Sequence, residues 1–453
     1  MCAQLLKEIE EEVTNLLSDL IRINTTNPPG NETEAVKFLT KNLEKEGFAC
    51  EVFESAPGRG SLITRLKGTG EGPSLLLLSH LDVVAANPKE WSVDPFAGVV
   101  KDGFVWGRGA IDMKSMTAME VMVMKLLKRN NAQLKGDVIL AATADEEKGG
   151  EAGAGWLVKN YPDKVKADYV INEGGGLAIP VDDKNIYTIQ TAEKGILWFK
   201  VKAKGRPGHG SVPGAADNAI LRMNKIVEKL GNYRAKMTVV PTVRQFLSEV
   251  AKESPLLQQA ANMILQNPEV ADQILDMLAQ KDKVMAEELR ARLRMTIAPT
   301  IIHGGVKENI IPSECEAVFD CRILPGQTPE QAMEEIKALL KDVVDLEKVE
   351  FETIQANEPS ESPTNTPLYE EIINVLKEFE PNCSVAPILL TGGTDSRFFR
   401  KLGTVCYGFQ PLRADMPYGE ILKTVHGIDE RISIENLVFG TSVLYNVVER
   451  FMT

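Results

Sequence analysis

The sequence predicts an α/β protein with a mostly parallel central sheet, built from both ends of the chain and interrupted by a smaller inserted α+β domain. Three observations carry this reading. Strand-like runs alternate with helix-periodic stretches up to about residue 190 and again from about residue 369, as in parallel strands joined through helices. Leu75-Leu76-Leu77-Leu78 is apolar on both faces, as a strand covered on each side requires. Between these halves the order becomes strand, helix, strand, strand, helix, strand, broken by several short helices at about 243–294. That order suits a separate ferredoxin-like unit. The expected domains are residues 1–190 with 358–453, and the inserted residues 191–357.

Each element has its own signal. Leu5, Leu6, Ile9, Val13, Leu16, Leu17, Leu20 and Ile21 recur at helical spacing, and Asn24-Thr25-Thr26-Asn27-Pro28-Pro29-Gly30 is a turn cluster. A helix at about 32–46 precedes strands at 50–54, 61–66 and 74–79. Asp102-Gly103 turns the chain toward a mostly apolar helix at about 114–128. Its Met113, Met116, Met119, Met122 and Met124 read as gap-filling core. A strand at 136–143, a helix around Trp156 and a strand at 167–171 complete the first half.

In the insertion, Leu197, Phe199, Val201 and Ala203 alternate as in a half-buried strand, and a helix spans about 216–230. Strands follow at about 299–302 and 315–324. Thr328-Pro329-Glu330-Gln331 is a capping box with proline at the first helical position, and a strand at 349–354 closes the unit. Residues 357–367, rich in Pro, Ser, Thr and Asn, read as a return linker. A helix from Tyr369, strands near 386–389 and 405–409, and a final helix over 433–451 resume the first pattern.

A formal charge of -13 over 453 residues argues against nucleic acid or anionic membrane as general partners. The six cysteines (Cys2, Cys50, Cys315, Cys321, Cys383, Cys406) contain no CxxC pair and read as reduced thiols of a cytoplasmic protein. Cys315 and Cys321 share one face of a strand and read as core. Residues 1–12 lack the basic end and apolar run of a signal peptide. No apolar stretch approaches membrane-spanning length. The expectation is a soluble cytoplasmic protein.

The chemistry gathers at strand ends. Asp145-Glu146-Glu147 follows the strand at 136–143. On an extended backbone adjacent side chains point opposite ways, so one carboxylate can bind while its neighbour faces another part of a cleft. Alone, such a cluster reads as a solvated loop. Of four histidines, His80 ends the apolar strand. Asp112 stands just before a helix, where capping is the ordinary role, and Glu173 follows another strand, where a loop acid is ordinary. In open α/β sheets these ends line the ligand crevice. Imidazole and carboxylates therefore converge, a donor set suited to zinc or a similar divalent ion.

Taken together, Ser79-His80-Leu81-Asp82-Val83-Val84, Gly107-Arg108-Gly109-Ala110-Ile111-Asp112-Met113-Lys114 and Asp145-Glu146-Glu147 resemble the dinuclear zinc aminoacylase/carboxypeptidase family. That family includes aminoacylase, acetylornithine deacetylase, succinyl-diaminopimelate desuccinylase and Gly-X carboxypeptidase. The resemblance extends through Gly208-His209-Gly210-Ser211, Asn309-Ile310-Ile311-Pro312, Asp320-Cys321-Arg322, Gly392-Gly393-Thr394-Asp395 and Val425-His426-Gly427. It implies a zinc-exopeptidase-like catalytic domain with an inserted lid and dimerisation domain, and a homodimer. It also implies two divalent metal ions, zinc foremost, with cobalt or manganese as alternatives.

The resemblance implies that His80 and Glu173 hold one metal, Glu147 and His426 the other, and that Asp112 bridges them. Asp82 would orient His80. Glu146 would be the general base toward a metal-activated water. His209 would stabilise the tetrahedral oxyanion from a partner subunit. Arg322 would grip a substrate carboxylate, helped by Asn309 and the Gly392-Gly393-Thr394 backbone. A surface ion pair is the plain alternative for Arg322, and an exposed turn for His209. His303 matches no role and reads as structural.

The expected activity is hydrolysis of an amide or peptide bond next to a free carboxylate, in small dipeptides or N-acyl-amino acids. The helical insertion resembles the Gly-X carboxypeptidase and N-fatty-acyl-amino-acid hydrolase branch, which favours carboxypeptidase or acylase activity. The alternatives are a deacetylase or desuccinylase of an amino-acid biosynthetic intermediate, and a non-catalytic binding protein on the same fold. The latter would be expected to have lost a ligand or the base. Gly107-Arg108-Gly109 and Gly174-Gly175-Gly176 hint at nucleotide binding but lack GxGxxG spacing.

Overall fold

The computed structural model describes residues 3–181 and 184–453. Its large sheet centres on four adjacent parallel strands: Val138–Thr143, Leu75–His80, Tyr169–Asn172 and Val405–Gly408. Leu75–His80 and Val138–Thr143 are buried along their whole length, because helices cover both sheet faces. Leu75 and Leu77 pack into the core beneath Lys114–Arg129, while Leu76 and Leu78 join the opposite cluster with Leu157 and Phe399. The chain adds Val138–Thr143 on one side of Leu75–His80 and Tyr169–Asn172 on the other. His80 thus ends the strand where winding reverses, the place where α/β sheets open a crevice.

Helix Lys114–Arg129 is buried from Lys114 to Leu127. Met113, Met116, Met119, Met122 and Met124 are all core residues, as expected. Lys114 is the exception in chemistry: its Nζ donates to the carbonyls of Leu20 and Ile23. It thereby satisfies the open end of helix Ala3–Arg22. Burial pushes its pKa down to about 7.

A second sheet has the order Thr296–Gly304, Glu314–Ile323, Gly195–Lys204, Val349–Asn357, antiparallel throughout. With helices Ala219–Gly231 and Pro329–Leu340 on one face, this is the ferredoxin-like arrangement the residue pattern predicts. Thr328 and Gln331 form the expected capping box. The opposite face is charged, with Lys200–Glu352 and Lys202–Glu314 pairs at 2.7 and 2.8 Å. Cys315 and Cys321 lie in the helix-covered core. All cysteines from Cys50 onward are free; Cys2 lies outside the described residues.

Four helices, Pro241–Val250, Pro255–Gln266, Ala271–Ala279 and Lys283–Arg292, form the helical insertion. Their apolar residues share a cluster with Ala386 and Leu389 of strand Ser384–Leu390, which runs up to Gly392-Gly393. The ten-residue strand Lys184–Glu193 has no clear periodicity in the sequence. It is buried on both faces from Ile186 to Glu193, so no alternation marks it. Among the described residues no helix is long and apolar enough to cross a membrane.

Candidate metal centre

Segments at three adjacent strand ends, the loop before helix Lys114–Arg129 and a loop near the C-terminus build one cluster. His80 Nε2 stands 3.1 Å from Asp112 Oδ1 and 3.7 Å from Glu173 Oε2. His426 Nε2 stands 3.1 Å from Asp112 Oδ2 and 3.0 Å from Glu147 Oε2. These make two three-donor groups, each within 4.8 Å, that share Asp112 through its two oxygens. One carboxylate between two sets of nitrogen and oxygen donors is the geometry of a paired divalent site. Glu147 Oε1 is buried with no hydrogen-bond partner, a further donor left open toward a cation.

The electrostatics agree with that fit. Burial opposes charge on His80, yet Glu173, Asp112 and Asp82 together hold its pKa well above the ordinary value. Hydrogen bonds to Asp112 and Glu147 raise that of His426 to about 10. Burial, and then the charge of Glu173, lifts Glu146 well above the carboxylate range. Burial likewise raises Glu147 and Glu173. A divalent cation at this site would compete with protons for these crowded donors.

The supporting residues explain why the loops fold this way. Asp82 is fully buried. Its Oδ1 accepts the Glu146 N–H at 3.0 Å and its Oδ2 the Glu147 N–H at 3.1 Å. His80 Nδ1 lies 2.9 Å from the Asp82 carbonyl and 3.5 Å from its carboxylate, which leaves Nε2 facing the cluster. The extended-strand picture of Glu146 and Glu147 is corrected here. Both lie in a 3₁₀ turn that follows Asp145 in the left-handed region, φ 75°. Their divided directions come from that turn and not from strand alternation.

Glu430 organises the Asp112 loop, and sequence reasoning missed it. This buried carboxylate accepts the N–H groups of Gly109, Ile111 and Asp112 at 3.1, 2.7 and 3.0 Å. It also pairs with Arg108 at 2.7 Å, and Arg108 Nη2 donates to the Gly427 carbonyl. The loops carrying Asp112 and His426 are thereby tied together. The spacing of Glu430 four residues after His426 was the only available signal. Gly107-Arg108-Gly109 is therefore the wrap around Glu430. A Cβ at Gly109 (φ 88°) would lie 2.9 Å from Val83. We expect Glu430→Gln, which trades two acceptor positions for one, to weaken zinc binding about 10- to 100-fold. Titration with a competing chromophoric chelator checks this.

The remaining expected residues lie elsewhere. His209 is exposed. It sits on the short ribbon Gly208–His209 with Ile310–Ile311, and its Nδ1 bonds Ser211. Among the described residues, no hydrogen bond or ion pair joins it to the cluster. Arg322 grips Asp320 through Nε and Nη2 at 2.7 and 3.1 Å and lies over the Trp198 ring at 5.8 Å. Asn309 and His303 are exposed; His303 pairs in register with Glu316. Thr394 is buried, and both its N–H and its hydroxyl bond Glu193 Oε2. A Cβ at Gly392 would meet nothing within 4 Å, and one at Gly393 would lie 3.7 Å from Ile196 of the second sheet.

The model of peptidase family M20/M25/M40 matches residues 76–450. The chain belongs to that family. It is 28% identical to human (Homo sapiens) N-fatty-acyl-amino acid synthase/hydrolase PM20D1 over 396 residues, covering 84% of this chain and 75% of the relative. It is 26% identical to aminoacylase-1 of Sus scrofa over 434 residues, covering 94% and 92%. In fold it is similar to the M20 family metallo-carboxypeptidase Sso-CP2 from Sulfolobus solfataricus. The TM-score is 0.74 at 20% identity, over 97% of this chain and 99% of that one. This M20 chain is accordingly a metallohydrolase, and its candidate ligand groups gather beside the ends of its own parallel strands.

Proposed function

We propose that this M20 enzyme hydrolyses an amide or peptide bond next to a free carboxylate, in N-acyl-amino acids or small dipeptides. The observation that carries the reading is the pair of three-donor groups sharing Asp112. His80, Glu173 and Asp112 would hold one divalent cation, and Glu147, His426 and Asp112 the other, zinc foremost and cobalt or manganese as alternatives. The cations would supply the positive charge that acidifies water and polarises a carbonyl. Glu146 takes the proton of the attacking water and returns it to the leaving amine.

Arg322 has a guanidinium edge to spare. Asp320 occupies its Nε and Nη2, which fixes the plane and leaves Nη1 and the second Nη2 hydrogen for a substrate carboxylate. Asn309 and the backbone at Gly392 and Gly393 would line the same substrate, and Thr394, whose N–H and hydroxyl are held by Glu193, would shape that loop. The relatives named for N-acyl-amino acids support the acyl-amino acid side of the reading. The test is a panel of N-acyl-amino acids, dipeptides and their C-terminal amides, with zinc, cobalt or manganese added. Acids should be cleaved and amides spared, and thorough chelation should abolish turnover. Activity that survives chelation, or equal cleavage of amides, would sink the proposal.

We further propose that residues 191–357 act as lid and dimerisation domain on the catalytic unit of residues 1–190 and 358–453, and that His209 reaches the site of a partner subunit. The edge strand Thr296–Gly304 is exposed from Ala298 on, and Ile301 and Ile302 are 50% and 57% exposed. Unpaired edges invite a second strand. Light scattering should give about twice the 49.8 kDa chain mass, and Ile302→Asp should return it to the monomer. A wild-type monomer at micromolar concentration would refute the dimer. The five free thiols among the described residues fit a reducing, cytoplasmic compartment.

A further inference from the structure

The structure assigns a role to Asp145: we infer that, with Asn27, it is a positioning residue that aims Glu146. The inference rests on the reading of Glu146 as the base. Glu147 is anchored by His426 at 3.0 Å. Among the described residues, the Glu146 carboxylate has no hydrogen bond or ion pair of its own. With no polar partner to aim it, the carboxylate takes its direction from the backbone turn and the packing around it, so a shift of the turn displaces the base.

Asp145 fixes that turn from both ends. Its side chain is not the solvated loop acid that its sequence suggests, because the residue is 8% exposed. Oδ1 accepts from Arg59 Nη2 at 2.5 Å and from Asn27 Nδ2 at 3.1 Å. Oδ2 accepts the Ala152 N–H at 2.9 Å, at the far end of the loop. Its carbonyl accepts the N–H groups of Lys148 and Gly150. A non-glycine residue at φ 75° costs about 1 kcal/mol or more, and these five bonds hold it there.

Asn27 links this anchor to the carboxylate under the base. Its Nδ2 also donates to Asp82 Oδ2 at 2.8 Å, and Asp82 in turn receives the Glu146 and Glu147 N–H groups. One amide nitrogen, with two hydrogens, thus spans two buried carboxylates. The Asn27 backbone N–H is itself pinned to the Val83 carbonyl at 2.9 Å. Arg59 balances the charge, lying 3.2 Å from the buried Glu32 as well. Removal of the Asp145 carboxylate would take one acceptor each from Arg59 and Asn27, leave the Ala152 N–H without its partner, and free the loop to relax.

The experiment compares Asn27→Ala, Asp145→Ala, Asp145→Asn and the double alanine variant with Glu146→Gln. It reads kcat and KM on N-acetyl-leucine or glycyl-leucine, zinc content, and amide exchange of residues 144–153 in the metal-free protein. A displaced base predicts kcat lower by about 10- to 100-fold in each single alanine variant, with KM within about threefold and zinc unchanged. The double variant should fall little further than the worse single, because the two act as one unit. Asp145→Asn keeps an oxygen for Arg59 and Asn27 and should recover part of kcat. Amide exchange should quicken at least about tenfold in that segment alone, and this readout decides if the wild type cleaves neither probe. A kcat within threefold of wild type, unchanged exchange, or a loss that merely follows lost zinc overturns the inference. If Asp145→Ala does not fold, Asn27→Ala carries the same claim. Unimpaired turnover in Glu146→Gln would instead overturn the base, while the exchange result would still stand.

Discussion

Glu146→Gln should retain both metal ions and the fold, yet lose about 10²- to 10⁴-fold in kcat, the usual contribution of a positioned proton-transfer group. That is about 3–5 kcal/mol of transition-state stabilisation. The amide is nearly isosteric and cannot accept the water's proton. Glu146 belongs to neither three-donor group, so metal content should stay at wild-type level and KM should move little. The separation is the informative part. If zinc were lost along with turnover, Glu146 would be a ligand; if turnover were untouched, the proton would leave by another route. The substitution also removes one of the crowded carboxylates whose burial and proximity to Glu173 raise its pKa. It thereby removes a negative charge beside the cations, so metal affinity is expected to hold or fall slightly.

Asp112→Ala should have the opposite signature. It removes the one side chain common to both donor groups, so both sites fall to two protein donors each. Metal content should drop well below two per chain and turnover by about 10³-fold or more, because several kcal/mol of charge stabilisation goes with the cations. Excess zinc should restore little. Loss of a single metal with substantial turnover would mean that the two sites work independently, and Asp112 would then not be a bridge. Because His80 and His426 would both lose a partner at 3.1 Å, their pKa values should fall toward the ordinary imidazole range. In wild type the raised histidine values mean that zinc uptake at neutral pH releases protons, and that affinity weakens as pH falls. Calorimetry in buffers of different ionisation enthalpy would count them.

Much of the fold was legible because its signals are local. The Leu75–Leu78 run, the methionine-rich helix, the Thr328–Gln331 capping box and the Asp102-Gly103 turn each depend on neighbours in the chain. Strand Lys184–Glu193 was not legible, since a strand buried on both faces shows no alternation and this one carries Thr, Gln and Glu among its buried residues. In the site, His80, Asp112, Glu147, Glu173 and His426 could be named together only through the resemblance of their motifs to the aminoacylase/carboxypeptidase family, since singly each reads as an ordinary capping, loop or hydrogen-bonding residue. Their partners could not. Glu430, Asn27 and Arg59 look in sequence like ordinary loop residues, and only burial beside the cluster gives them work.

The sequence by itself therefore determined the fold class, the ferredoxin-like insertion and a gathering of imidazole and carboxylate donors suited to a divalent ion. These follow from periodicity, turn chemistry and donor type, all of which are written along the chain. The tertiary structure decided the geometry: that Asp112 faces both histidines, that Asp82 and Glu430 each gather the backbone N–H groups of a loop, and that Asp145 leaves the strand through a left-handed residue. Those facts depend on contacts that span 32 to 322 positions of the chain. No local pattern encodes which buried carboxylate will meet which unpaired N–H, because that is settled only when the sheet brings its strand ends together.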